Sequence, residues 1–232
     1  MRPSEWSAIR ALPLFHDVNE NNFSALMSAA FLQRFPARVN LITEGDTADF
    51  LHIVVEGTVE LFARHDGRET TLDIMRPVTT FILAAVIRDA VYLKSARTLA
   101  PAQILMIPGQ TVRDVFGRDA AFARAIVNEL ADRYRDIVGA LKNEKLRTST
   151  ERLANWILQA DAQHANTHAF ELSCDKRTLA SHLGMTPENL SRSLALLTKH
   201  GVRTSGRGVT INDPAALVRF AKPNALIDGQ GT

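Results

Sequence analysis

The chain has 232 residues, 46% hydrophobic and 22% charged, with a formal net charge of +2. That profile excludes a disordered or fibrous protein and leaves room for two ordinary domains. The single cysteine, Cys174, excludes an intrachain disulfide and cannot by itself hold an iron–sulfur cluster.

The charge is unevenly placed. Residues 1–150 carry 18 basic and 18 acidic side chains, and residues 151–232 carry 9 and 7. Within 173–210, Lys176, Arg177, Arg192, Lys199, Arg203 and Arg207 face only Asp175 and Glu188. Such an excess suits a phosphate backbone, or equally a solvated basic face. Glu5, Trp6 and Arg10 interrupt any apolar run near the start, and no stretch approaches the ~18 apolar residues of a membrane span. The expectation is a cytoplasmic protein with no membrane partner.

In chain order, Trp6, Ile9 and Leu12, then Phe23, Leu26, Met27, Ala30 and Phe31, recur at spacings of three and four, which predicts short helices. From Phe35 the period becomes two: Leu51, Ile53 and Val55, then Val59, Leu61 and Ala63, alternate with other residues. Turn signals at Glu44-Gly45-Asp46, Glu56-Gly57 and His65-Asp66-Gly67 separate these runs. Leu72–Met75, Ala90–Leu93 and Gln103–Ile107 continue the series, and together they predict a β-roll (jelly roll) over about 36–108.

Pro108-Gly109 ends the strands, and from Val112 one helix is expected for more than thirty residues. Ile126, Leu130, Ile137 and Leu141 fall at offsets of 0, 4, 11 and 15, the a/d seam of a two-stranded coiled coil. That stripe predicts a homodimer; packing onto the chain's own β-roll is the alternative. Arg147-Thr148-Ser149-Thr150 is the expected hinge, with Ser149 or Thr150 capping the next helix. The predicted fold class is therefore α+β, divided into a β-roll with N-terminal helices (1–110), a dimerisation helix (111–146) and a C-terminal domain (147–232).

In that last domain Ser173 or Asp175 is placed to cap a short helix carrying Leu179, Ala180 and Leu183, ended by Gly184. Thr186 caps a second helix with Pro187 at its first position, and Leu190, Leu194 and Leu197 form its inner face. Glu188, Asn189, Ser191 and Arg192 then lie outside. This is a helix-turn-helix, whose second helix enters the DNA major groove. Glu188, Ser191 and Arg192 are the expected base readers, since arginine pairs bidentately with guanine, glutamate accepts from cytosine and serine serves several bases. Val202–Ile211 reads as a hairpin wing. Lys176, Arg177, Thr186, Arg203 and Arg207 are the expected phosphate contacts.

Several of these pieces together resemble the CRP/FNR family of transcription regulators: Leu14-Phe15, Glu44-Gly45-Asp46, Glu56-Gly57, Asp66-Gly67-Arg68-Glu69, the long helix, Leu179 to Gly184, and Thr186-Pro187-Glu188-Asn189-Leu190-Ser191-Arg192. The resemblance implies a cyclic-nucleotide-binding-like β-roll, a dimerisation helix and a C-terminal winged helix-turn-helix, acting as a homodimer on a palindromic operator. The Glu188, Ser191, Arg192 pattern looks FNR-like and implies TTGA-type half-sites; RNA polymerase would be a partner if the protein activates.

The departures concern the signal. Where family members that bind cyclic AMP carry a glycine–glutamate pair, this chain has Leu83 and Ala84, and the later arginine–serine pair reads Lys94-Ser95. Lysine lacks arginine's planar fork. Cyclic AMP is thus not the expected effector, although a cyclic-nucleotide-responsive regulator stays open as an alternative. The FNR cysteine cluster is absent as well. Phe81, Leu83, Ala84, Lys94 and Ser95 mark the expected effector pocket, which reads either as a cavity for haem or another apolar molecule or as a filled core. His16, His52 and His65 are the candidate metal or haem ligands, though they lack paired spacing. A cupin-like enzyme would need clustered histidines and a carboxylate, so no enzyme is expected. A β-roll interaction module without DNA binding leaves the basic C-terminal motif unexplained.

Overall fold

The computed structural model describes residues 3–229, and the chain divides into two compact units, residues 1–132 and 133–232. The first begins with helices α1 (Pro3–Arg10) and α2 (Glu20–Ala29), followed by strands β1 (Phe31–Phe35), β2 (Asn40–Ile42), β3 (Phe50–Glu56), β4 (Val59–His65), β5 (Arg68–Met75) and β6 (Thr79–Phe81). A short helix, α3 (Leu83–Arg88), precedes β7 (Ser95–Thr98), β8 (Ala102–Pro108), α4 (Gly109–Arg118) and the start of α5 (Ala120–Leu146).

The strands form two four-stranded antiparallel sheets, ordered β1-β8-β3-β6 and β2-β7-β4-β5. Alternating apolar residues set the register: Leu51 opposes Ile107 and Ile53 opposes Leu105, and all four are fully buried. They join Leu26, Phe15, Val112 and Phe122 in one hydrophobic core, so the helices cover apolar surface that the sheets alone would expose. Gly57 turns β3 into β4 at φ +87°, where an added Cβ would collide with the Pro101 carbonyl oxygen. Only glycine fits that approach.

Three expectations for residues 1–146 need correction. Ala90–Leu93 is not a strand: Val91 makes one isolated bridge to Thr47, and the chain pairs with a turn, Gly45 donating to the Tyr92 carbonyl and Tyr92 to the Asp46 carbonyl. Its alternating pattern lacks a neighbouring ladder, and Val91 and Leu93 stay exposed. Phe31 opens strand β1 instead of extending the helical spacing of α2. The single long helix is two, broken at Asp119, whose carboxylate accepts from the Ala121 and Phe122 backbone N–H groups and from Asn19 N and Asn22 Nδ2. These donors hold its carboxyl below the usual range against the opposing effect of burial. Asp119 thereby starts a new helix while tying it to α2.

The second unit contains α6 (Ser149–Gln163), β9 (Ala169–Glu171), α7 (Lys176–His182), α8 (Pro187–Leu197), β10 (Val202–Ser205), β11 (Gly208–Ile211), α9 (Pro214–Ala221) and α10 (Ala225–Asp228). Its small sheet is ordered β10-β11-β9. Neither Ser149 nor Thr150 caps α6. Thr148 does, in a reciprocal capping box with Glu151 that satisfies an orphan donor on each side. Buried Leu153, Ala154 and Ile157 of α6, Leu179 of α7, Leu190 of α8 and Leu217 of α9 make up this unit's core. No helix among the described residues is long and apolar enough to cross a membrane.

Candidate nucleic-acid interface

Helices α7 and α8 are set by their ends. Asp175 caps α7, its carboxylate accepting from Thr178 N at 2.8 Å, and that bond first of all holds the carboxyl below its ordinary range. After α7 the chain turns at Gly184 with φ +61°. Arg152 of α6 pins this turn, donating to the carbonyls of Leu183 at 2.9 Å and Gly184 at 3.2 Å. Thr186 then caps α8 by accepting from Asn189 N, with Pro187 in the first turn.

On α8 the inner positions are Leu190, Ser193 and Leu197. Leu194, expected inside, is only half-buried, and Ser193 takes an interior place because its hydroxyl meets Thr150 at 2.9 Å. Glu188, Asn189, Ser191 and Arg192 are all exposed. Arg192 Nη2 donates to Asn189 Oδ1 at 2.8 Å, and Ser191 Oγ donates to the Pro187 carbonyl. Asn189 was not among the expected base readers, yet its amide oxygen orients the arginine. The i, i+3 spacing of the two residues was the available signal. The Glu188 carboxyl is held below its usual range by the backbone N–H at the helix start and by Thr186.

Lys176, Arg177, Thr186 and Arg203 are exposed around the same unit. Arg207 is also exposed, but both its Nε and Nη2 donate to the Leu172 carbonyl, at 3.0 and 2.5 Å. It braces the wing as well as adding charge there.

The long helix places its seam residues differently from one another. Ile126 is buried in the core of the first unit and Leu130 packs half-buried against that core, whereas Ile137 and Leu141 are 66% and 54% exposed. Val127 and Tyr134, absent from the expected set, are 58% and 68% exposed. Val127, Leu130, Tyr134, Ile137 and Leu141 follow the alternating three-and-four spacing of a heptad, one residue out of register with Ile126. The core of the first unit took Ile126, and the heptad spacing was present in the sequence to be found.

In the β-roll, Phe81, Leu83 and Ser95 are buried, Lys94 is half-buried and Ala84 is exposed. Ser95 Oγ accepts from Glu44 N, and Phe81 stacks on His52 with ring centroids 5.2 Å apart. The three candidate histidines are dispersed. His16 is exposed beside Asp17, His65 is exposed at the end of β4, and His52 is buried, where desolvation drives its pKa down to about 4 against the raising effect of the Phe50 backbone. Among the described residues no group of three or more His, Cys, Asp or Glu side chains is arranged to hold a metal ion.

Comparison with known proteins matches both halves. Residues 32–119 match the cyclic nucleotide-binding domain family and residues 151–220 the Crp-like helix-turn-helix domain family. A CRP-like cAMP-activated global transcriptional regulator of Mycobacterium tuberculosis is 26% identical over 90% of this chain and 96% of its own length. An anaerobic regulatory protein of Pasteurella multocida is 21% identical over 78% of this chain and 68% of its own. The structure of FixK2 from Bradyrhizobium japonicum covers 84% of this chain and 99% of its own with a TM-score of 0.76 at 21% identity, a likeness of fold. Two family matches in the expected order, on a β-roll, long helix and winged helix-turn-helix, identify the chain as a member of the CRP/FNR family of transcription regulators, which are not enzymes.

Proposed function

We propose that the protein is a cytoplasmic, homodimeric regulator that reads a palindromic DNA operator with TTGA-type half-sites and responds to an effector other than cyclic AMP. It works as a sensory β-roll over 1–110, a dimerisation helix over 111–146 and a DNA-binding domain over 147–232. The observation that carries this reading is the two-sidedness of α8. Leu190, Ser193 and Leu197 are buried, while Glu188, Ser191 and Arg192 stand exposed on the opposite side behind a capped helix start. In the groove, Arg192 addresses guanine O6 and N7, Glu188 accepts from cytosine N4–H and Ser191 contacts an adjacent base edge. Lys176, Arg177, Thr186, Arg203 and Arg207 position the domain on phosphates, which fixes register without reading sequence.

Dimerisation uses the exposed side chains of Val127, Tyr134, Ile137 and Leu141, with half-buried Leu130 between them. It places two recognition helices about one helical turn of DNA apart. Leu83 and Ala84, standing where a cyclic AMP site would present an open backbone and a carboxylate, support a different effector. If the protein activates, RNA polymerase is its further partner.

The test is Arg192→Ala in an anisotropy titration against a TTGA palindrome and a scrambled control. Loss of one bidentate contact per half-site costs about 1–3 kcal/mol each, so binding to the palindrome falls by about 30-fold or more with the dimer intact. Undiminished discrimination between palindrome and control removes α8 as the reading helix.

A further inference from the structure

After α9 the backbone turns at Lys222 in the left-handed region, φ +48°, and residues 222–228 return to the junction of α5 and α6. Arg147, in the turn between those helices, donates from Nη1 to Asp228 Oδ1 at 2.5 Å and from Nη2 to Oδ2 at 2.8 Å, with both side chains only 7% exposed. Gln159 of α6 donates to the Asp228 carbonyl at 3.0 Å, and Asn155 of α6 donates to the Ala221 carbonyl at 2.7 Å. The Ile227 carbonyl lies against Gly139 of α5, where a Cβ would come within 2.7 Å of it. Asn224 caps α10, and its N–H donates to Asp228 Oδ2 at 2.6 Å, so the carboxylate that holds Arg147 is itself fixed.

The same junction is held from its other side by Arg152. Its Nη1 donates to the Arg147 carbonyl at 3.0 Å, while its Nε and Nη2 reach the carbonyls of Leu183 and Gly184 in the turn before α8. Arg147 thus joins two anchors, the C-terminal segment through its guanidinium and the helix-turn-helix through its carbonyl. Only Arg147 and Thr148 separate α5 from α6, and a joint that short, left unbraced, turns freely about its φ and ψ angles. A bidentate arginine–carboxylate pair restrains orientation as well as distance. Residues 133–146 of α5 and all of α8 belong to the same compact unit, so these contacts fix the angle between exposed Tyr134, Ile137 and Leu141 and the reading face of α8.

We propose that the C-terminal segment Lys222–Asp228 sets the spacing of the two DNA half-sites, by holding α8 at a fixed angle to the dimer seam of α5. The inference rests on the homodimeric, operator-reading function proposed above and adds to it a determinant of specificity that touches no base. A dimer presents its two α8 helices at a separation and rotation given by that angle. Moving one half-site by one base pair displaces it by about 3.4 Å and rotates it by about 34°. A rigid joint cannot follow such a change without giving up base contacts, whereas a loosened joint can. A segment that only stabilised the fold would instead change affinity for every operator alike.

The test is an anisotropy titration of the full chain on TTGA palindromes whose half-site separation is stepped by one base pair in each direction. Two variants release the segment by different chemistry. Arg147→Met with Asp228→Ala removes both buried charges together, and Gly139→Ala pushes the Ile227 carbonyl away from α5 while raising the helix propensity of α5. The wild-type protein should prefer one separation over its neighbours by about tenfold or more, and each variant that circular dichroism shows to be folded should narrow that ratio to about threefold or less. Gly139→Ala alters no charge and leaves the core side chains in place, so it decides if the paired variant fails to fold. No preference in the wild-type protein, a preference that survives in the folded variants, or an affinity lowered equally at every separation overturns this inference and leaves the DNA reading standing. A wild-type protein that binds no TTGA palindrome at any separation overturns the DNA reading and this inference with it.

Discussion

Replacing Asp228 with alanine should destabilise the second unit far more than an ordinary surface substitution. Asp228 Oδ1 lies 2.5 Å from Arg147 Nη1 and Oδ2 lies 2.8 Å from Nη2, and both side chains are only 7% exposed. Asp228 Oδ2 also accepts from Asn224 N at 2.6 Å, while α10 presents the Ile227 carbonyl to Gly139 of α5, where an added Cβ would lie 2.7 Å away. Removing the carboxylate leaves Arg147 with the Asn143 side chain at 3.1 Å and the Lys222 carbonyl at 3.5 Å. An uncompensated charge of this kind costs about 3–5 kcal/mol. For a unit of this size each kcal/mol moves the midpoint by about 4–8 °C, so calorimetry of the full chain should show a transition lowered by about 12 °C or more.

A double-mutant cycle with Arg147→Met makes the reasoning refutable. Removing both charges should be milder than the sum of the single changes, because no buried charge is then left alone. A loss of under about 1 kcal/mol for Asp228→Ala, or a double variant worse than the sum, would sink it. The acid dependence follows from the same pair. Burial opposes ionisation of Asp228, but Arg147 outweighs it and holds the carboxyl below its ordinary value. The unfolded chain therefore binds the proton more readily. The stabilisation is full well above the ordinary aspartate value of about 3.9 and is lost as pH falls through the lower folded value.

Two further outcomes are expected. Tyr134→Lys and Ile137→Lys should each shift light scattering from dimer towards monomer, whereas Ile126→Val, a buried change, should cost about 0.5–1.5 kcal/mol of stability and leave the dimer intact; the reverse pattern would restore Ile126 to the seam. Arg203→Ala should weaken operator and non-specific DNA alike and reduce the salt slope by about 0.9 per contact, about 1.8 for a dimer. An unchanged slope in anisotropy titrations at several salt concentrations would place Arg203 off the phosphates.

Much of the molecule was legible because local chemistry and tertiary structure agree. The period-two runs at Leu51–Val55 and Val59–Ala63 became β3 and β4, and Asp175, Gly184, Thr186 and Pro187 mark the ends of α7 and α8 through caps and a turn that depend on residues close in sequence. The reading strayed where a distant group decided. Asp119 breaks the long helix because it also holds Asn19 and Asn22, about a hundred positions away in the chain. Ala90–Leu93 alternates like a strand but met a turn instead of a ladder.

The sequence by itself therefore determined strands β3 and β4, the helix-turn-helix and the exposed set Glu188, Ser191 and Arg192, since all of these follow from spacing and capping within a few residues. Tertiary structure decided that Ile126 leaves the seam of α5, because the β-roll core claims Ile126 and leaves Val127 uncovered. It also gathered His52, Asp46, Asp49 and Phe35, from separate strands and turns, around one hollow of the β-roll.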